Sequence, residues 1–152
     1  MRYYPSLEAF AELAEQHTVV PVYRQLLGDT LTPVAAFDRL RHTDGAFLFE
    51  SVVGGERVGR YSFLGAKPFR RFEAFGSKVR EQVGTGAWVE SEHPDALRLL
   101  EERIAAYRGP HVPGLPRFCG GAVGYAGYDA ARYVEHLPNA PKDDRLRKLV
   151  II

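Results

Sequence analysis

The sequence predicts an α+β fold, a mostly antiparallel sheet with flanking helices. Two observations carry that prediction. Strand-like segments follow one another in the middle of the chain, separated by short glycine turns such as Gly76-Ser77 and Gly84-Thr85-Gly86. Helix-like segments, each with its own capping signal, stand on either side of that run.

The elements can be justified in chain order. "PSLEAFAELAEQHT" has Leu7, Phe10, Leu13 and Ala14 at helical spacing, and Ser6 precedes them as an N-cap. "VVPVYRQLL", from Val19, reads as a strand, with Pro21 restricting it to an edge or a strand start. In "TLTPVAAFDRLRHTDG", Thr32 caps a helix, Pro33 takes its first turn, and Val34, Phe37 and Leu40 form its apolar face. "FLFESVVGGERVGRYSFLG" then reads as a hairpin around Gly54-Gly55. "FRRFEAFG", "KVREQVG" and "AWVES" continue as an antiparallel meander. A third helix is expected from about residue 94 to 108, with Leu97, Leu100, Ile104 and Tyr107 on one face and Gly109 as its stop. "GPHVPGLPRF" is a proline-rich connection, and "CGGAVGYAGYDAARY" reads as a short glycine-studded strand and a turn. The closing "LVII" has the character of a buried strand, and the chain is expected to be cut from a larger protein.

Composition narrows the function classes. The 152 residues suit one domain, and a formal net charge of +1 gives no global attraction to nucleic acid or to an anionic membrane. No apolar run approaches a membrane span, and "MRYYPSLEAF" lacks the apolar core of a signal peptide. Cys119 is the only cysteine, which excludes an internal disulfide and fits a reducing cytoplasm.

Most chemistry-bearing residues have a structural reading. His17, His42, His93, His111 and His136 are scattered, so no protein-built metal site is expected. Gly120, Gly121, Gly124 and Gly127 match neither a dinucleotide fingerprint nor a phosphate loop, and fit close backbone approach instead. Lys67, Arg70 and Arg71 read as a solvated strand face. Tyr125, Tyr128 and Tyr133 read as half-buried packing residues with wet hydroxyls, and Cys119 as a small core residue.

Glu50 is the exception. With Gly54-Gly55 as a two-residue loop, Glu50 pairs with Gly59 and Leu48 with Tyr61. Both hairpin faces are then largely apolar, so Glu50 is expected to be at least partly buried. A buried carboxylate needs a partner. Arg57 or Tyr61 can supply one internally; the other reading is a ligand cation such as an amino group, with Ser51 adding a hydroxyl.

"FLFES" with "GRYSFLG", "GGAVGYAGYD" further on, and the upstream "VPVYRQLLGDTLTPVAAFDRL" together resemble the N-terminal domain of anthranilate synthase component I. The resemblance spans nearly the whole chain, from about Pro5 to Pro141. It implies a regulatory domain (residues 1–152) belonging to a larger two-layer, β-sandwich-like core that is incomplete here, with no catalytic residue in this chain. The complete subunit of that family converts chorismate and ammonia to anthranilate and pyruvate. Its magnesium and chorismate sites lie in a C-terminal domain, and a glutamine amidotransferase subunit supplies ammonia. The resemblance also implies an L-tryptophan effector pocket at Leu48, Phe49, Glu50 and Ser51, with Arg60 as its basic residue. Phe49 departs from the family's usual leucine. The related aminodeoxychorismate synthase component I shares the tyrosine–glycine motif and is the alternative branch; a stand-alone amino-acid-binding module is a further alternative.

Overall fold

The computed structural model describes residues 2–50, 61–139 and 149–151. Two compact units divide the chain: residues 1–25 with 71–151, and residues 26–70 with residue 152. Helices and antiparallel sheets make up both, as the α+β expectation holds.

The larger unit contains a five-stranded sheet in the order β5-β4-β3-β7-β6. Its strands are β3 (Arg70–Phe75), β4 (Lys78–Val83), β5 (Val89–Glu92), β6 (Gly124–Ala126) and β7 (Leu149–Ile151). The expected meander forms β3 to β5. The apolar "LVI" near the chain end inserts between β3 and β6, pairing Phe72 with Ile151 and Ala74 with Leu149 on one side and Gly124 with Ile151 on the other. That central position explains its hydrophobicity. A strand flanked on both edges has its backbone groups satisfied and can be apolar without exposing an aggregation-prone edge.

The core lies on one face of this sheet. Phe72, Ala74, Val79 and Leu149 pack there against Ala96 and Leu99 of helix Ala96–Ala105. That helix is capped by Asp95, whose carboxylate accepts from the Arg98 N–H. Of the apolar stripe expected to face inward, Leu97 and Leu100 are half-buried and pack against this cluster, whereas Ile104 and Tyr107 are exposed. Ala96 and Leu99 are the buried pair, while Ile104 is exposed and Leu97, Leu100 and Ile104 line an open groove of about 350 Å³. Arg103 ties this helix to the sheet. Its guanidinium donates to both Glu81 carboxylate oxygens on β4, at 3.0 Å and 3.2 Å. The same carboxylate raises the Arg103 pKa above its ordinary value by hydrogen bonding to the charged form.

The opposite face of β3 and β4 carries the buried carboxylate of this unit. Glu73 is 6% exposed and meets the Arg80 guanidinium at 3.3 Å, an ionic contact rather than an aligned hydrogen bond. Arg80 also stacks 4.3 Å above the Trp88 ring. Beside them Arg71 donates to Gln82 at 2.6 Å, so Arg71 is a half-buried cross-strand partner rather than part of a solvated face.

The N-terminal residues reach the same unit. Helix α1 (Leu7–Gln16) starts at Ser6, whose hydroxyl accepts from the Ala9 N–H. The expected strand from Val19 does not form. A single bridge joins Tyr4 to Tyr23, with both backbone hydrogen bonds at 2.8 Å and the two rings stacked. Pro21 lacks an N–H to extend the ladder. Thr18 is instead a clamp: its hydroxyl donates to the Ala106 carbonyl at 2.9 Å and accepts from the Arg108 N–H at 2.7 Å. Thr18→Val keeps the shape and removes both bonds. It is expected to cost about 1 kcal/mol and lower the thermal midpoint by a few degrees, measurable by calorimetry.

The glycine-rich segment forms β6 and then a 3-10 helix, Tyr128–Tyr133, where a turn was expected. Gly124 shows the close backbone approach expected of these glycines. A Cβ there would overlap the Val150 carbonyl oxygen and lie 2.8 Å from the Ile151 Cα. Of the three tyrosines, Tyr133 is half-buried and its hydroxyl donates to the Gly76 carbonyl at 2.7 Å. Tyr125 and Tyr128 are 54% and 92% exposed, because edge strand β6 and the outer turn of the 3-10 helix leave them uncovered. Cys119 is likewise exposed rather than core. It lies in the irregular proline- and glycine-rich connection, where no described strand or helix turns it inward.

Candidate functional site

The smaller unit builds the candidate site from three elements. Thr32 caps α2 (Pro33–Leu40) by accepting from the Ala35 N–H, and Pro33 takes the first turn as expected. Val34 is nevertheless 59% exposed, so the covered side of α2 is set by Phe37 and Leu40. Helix α2 lies against β1 (Phe47–Glu50) and β2 (Ser62–Gly65), which pair antiparallel.

The register differs from the expected one by three positions. Glu50 stands opposite Ser62, not Gly59, and Leu48 opposite Leu64, not Tyr61. An odd shift exchanges the faces of the second strand. Leu48, Glu50, Ser62 and Leu64 therefore share one face, and Phe47, Phe49, Phe63 and Gly65 the other. The expected register assumed the shortest loop. The observed pairing places Gly65 beneath Phe47: a Cβ at residue 65 would lie 2.6 Å from the ring carbon Cε1. An aromatic ring packed over a strand glycine fills the missing side-chain volume and fixes the alignment.

Glu50 is exposed in this chain, which corrects the expectation of partial burial. The face it occupies changes along the strand. Leu48 and Leu64 are half-buried, whereas Glu50 and Ser62 open to solvent. Among the described residues no hydrogen bond or ion pair engages the Glu50 carboxylate. The internal partner Arg57 lies outside the described residues, as do Gly54-Gly55, Gly59, Ser51 and Arg60. Of the five expected site residues, Leu48 and Glu50 share a face. Phe49 projects to the other, beside Phe47 at 5.6 Å between ring centroids, and is 52% exposed.

Two polar features escaped the sequence reading. Ser62 joins the Glu50 face, a consequence of register that no motif announces. The buried strand carboxylate is Glu73, not Glu50, and its partner Arg80 stands across the Gly76-Ser77 turn. That pairing was legible, since a two-residue turn sets Glu73 against Arg80. The contrast matters chemically. Glu73 has its cation built in, whereas Glu50 has none among the described residues. Among the described residues no group of three or more His, Cys, Asp or Glu side chains is placed to hold a metal ion, and no helix is long and apolar enough to cross a membrane.

Comparison with known proteins gives this geometry a context. The chain is 38% identical over 144 residues to anthranilate synthase component 1 of Acetivibrio thermocellus, a match covering 93% of this chain and 28% of that protein. Over nine tenths of its length, this chain is similar to anthranilate synthase component 1. The same component of Acinetobacter calcoaceticus is 38% identical over 144 residues, covering 91% of the chain and 29% of the relative. A probable anthranilate synthase component 1 of Schizosaccharomyces pombe is 37% identical over 149 residues, covering 96% of the chain and 27% of the relative. The chain thus spans a little over a quarter of the length of these anthranilate synthase relatives. No family model matches the chain.

Proposed function

We propose that the chain is the N-terminal regulatory segment of an anthranilate synthase component 1, and that its β1–β2 hairpin receives the amino group of an inhibitory L-tryptophan. The observation that carries this reading is the Glu50 carboxylate: exposed at the end of β1, without a partner among the described residues, and beside a half-buried leucine pair. An ammonium group is the natural complement of such a carboxylate. Ser51 and Arg60 complete the proposed pocket, the first as a hydrogen-bonding hydroxyl and the second as the group for the ligand carboxylate. Phe49, on the reverse face, is proposed to meet the neighbouring domain. The exposed position of Glu50 fits a pocket closed by that domain rather than by this chain alone.

In this reading the segment itself performs no chemistry. Chorismate and magnesium are bound by the C-terminal domain, and ammonia comes from a glutamine amidotransferase subunit. Inhibition arises when tryptophan binds one arrangement of regulatory and catalytic domains more tightly than the other. Turnover of chorismate and ammonia by the full-length protein tests the assignment. Anthranilate as product, formed more slowly as tryptophan is added, is expected. An aminodeoxychorismate product, unaffected by tryptophan, would contradict it.

A further inference from the structure

We infer that the smaller unit, Leu26–Arg70, is a locally unfolding device: it opens and closes while the five-stranded sheet stays folded, and a ligand held on its hairpin acts by closing it. The ligand half of this inference rests on the tryptophan-site reading above. The two units differ in what holds each of them together. All eight buried apolar side chains among the described residues, from Phe72 to Leu149, belong to the larger unit. The described residues of the smaller unit include no buried side chain. Its apolar packing rests on Phe37 and Leu40 of α2 and on Phe47, Leu48, Phe63 and Leu64 of the hairpin, each of them only half-buried.

The elements of this unit are shorter than what stands alone. β1 and β2 form a two-stranded sheet of their own, with four residues on each strand. A lone two-stranded hairpin is marginal in water, and so is a helix of the eight residues that α2 has. They hold one another: α2 lies against both strands, and the Phe47 ring covers Gly65. Forming this small assembly removes little apolar surface from water, since Leu26, Leu27, Leu31, Val34 and Phe49 stay exposed in it. Segments with few buried apolar contacts open at free energies well below that of the whole domain, and ligand-binding segments are drawn from that end. A ligand that binds the closed form and not the open one stabilises this unit selectively, by mass action. Inhibition is then transmitted by ordering Leu26–Arg70, because a segment already ordered by one ligand loses less entropy at the next binding step.

Hydrogen exchange of the full-length protein, read by mass spectrometry as protection relative to intrinsic rates, tests this. Without tryptophan, the amides of α2, β1 and β2 are expected to be about a hundredfold less protected than those of residues 71–83 in β3 and β4. Saturating tryptophan is expected to raise protection about tenfold in α2, β1 and β2 and to leave residues 71–83 within about twofold. Phe47→Ala, which uncovers Gly65, is expected to lower protection in the smaller unit alone. Equal protection of the two units without tryptophan, or a Phe47→Ala loss that reaches residues 71–83, overturns independent opening. If tryptophan inhibits turnover but leaves α2, β1 and β2 unchanged, or protects both units alike, ordering as the mechanism is overturned while the tryptophan site stands. If tryptophan neither inhibits nor protects, the site reading fails, and the ligand half of this inference with it.

Discussion

Phe72→Ala is expected to remove about 3–5 kcal/mol of folding stability, the usual cost of deleting a buried aromatic side chain. Phe72 is 2% exposed, lies opposite Ile151, and belongs to the cluster formed with Ala74, Val79, Ala96, Leu99 and Leu149. It therefore touches the meander, the inserted strand β7 and the helix above the sheet at once. Domains of this size are stable by only about 5–15 kcal/mol, so the loss is a large fraction of the whole. The neighbouring side chains sit on four different elements and cannot collapse together into the space left. Urea denaturation followed by far-ultraviolet circular dichroism checks this, with a lowered midpoint as the expected result. A change below 1 kcal/mol would show that the sheet–helix core is not the main source of stability. Phe72→Leu retains most of the apolar volume and is expected to recover much of the loss.

Glu50→Ala is expected to have the opposite profile. Because Glu50 is exposed and has no partner among the described residues, its removal is expected to change stability by less than about 0.5 kcal/mol. Its effect on the effector is expected to be large. Hydrogen bonds to charged groups contribute about 1.5–3 kcal/mol, which corresponds to roughly a ten- to hundredfold loss of tryptophan sensitivity. The upper part of that range requires the neighbouring domain to exclude water from the pair, since an exposed ion pair in water is worth at most about 1 kcal/mol. Inhibition titrations, each normalised to the variant's own turnover without tryptophan, check the prediction. The combination of an unchanged melting curve and a displaced inhibition curve separates a ligand contact from a packing defect.

Elements are more legible in this sequence than their orientations are. Ser6, Thr32 and Pro33 marked helix starts because capping is a local interaction between neighbours in the chain. The glycine turns marked the meander for the same reason. Orientation depends on partners far away in sequence. Arg103 meets Glu81 on β4, Leu99 is the fully buried leucine of its helix, and Ile104 faces outward. Tyr23 finds Tyr4 rather than a sheet, and Thr18 finds the end of a helix some ninety residues on. No local pattern encodes such choices.

The candidate site shows the same division. The identity of Glu50 as an unusual carboxylate was visible in the alternation of its strand. Its surroundings were not, because hairpin register depends on loop geometry and on the fit of Phe47 over Gly65. A three-residue difference moved Tyr61 and Phe63 off the Glu50 face and brought Ser62 and Leu64 onto it. The buried acidic residue went to Glu73, where Arg80 and Trp88 receive it. Glu50 is exposed at the end of β1 and has no partner among the described residues.

The most direct test compares tryptophan with indole-3-propionate, which has the same ring and carboxylate but no amino group. Calorimetric titration of the full-length protein is expected to show at least tenfold weaker binding of the propionate, with that difference largely abolished by Glu50→Ala. Equal preference for tryptophan in the parent and in Glu50→Ala would contradict the assignment of Glu50 as the residue that receives the amino group.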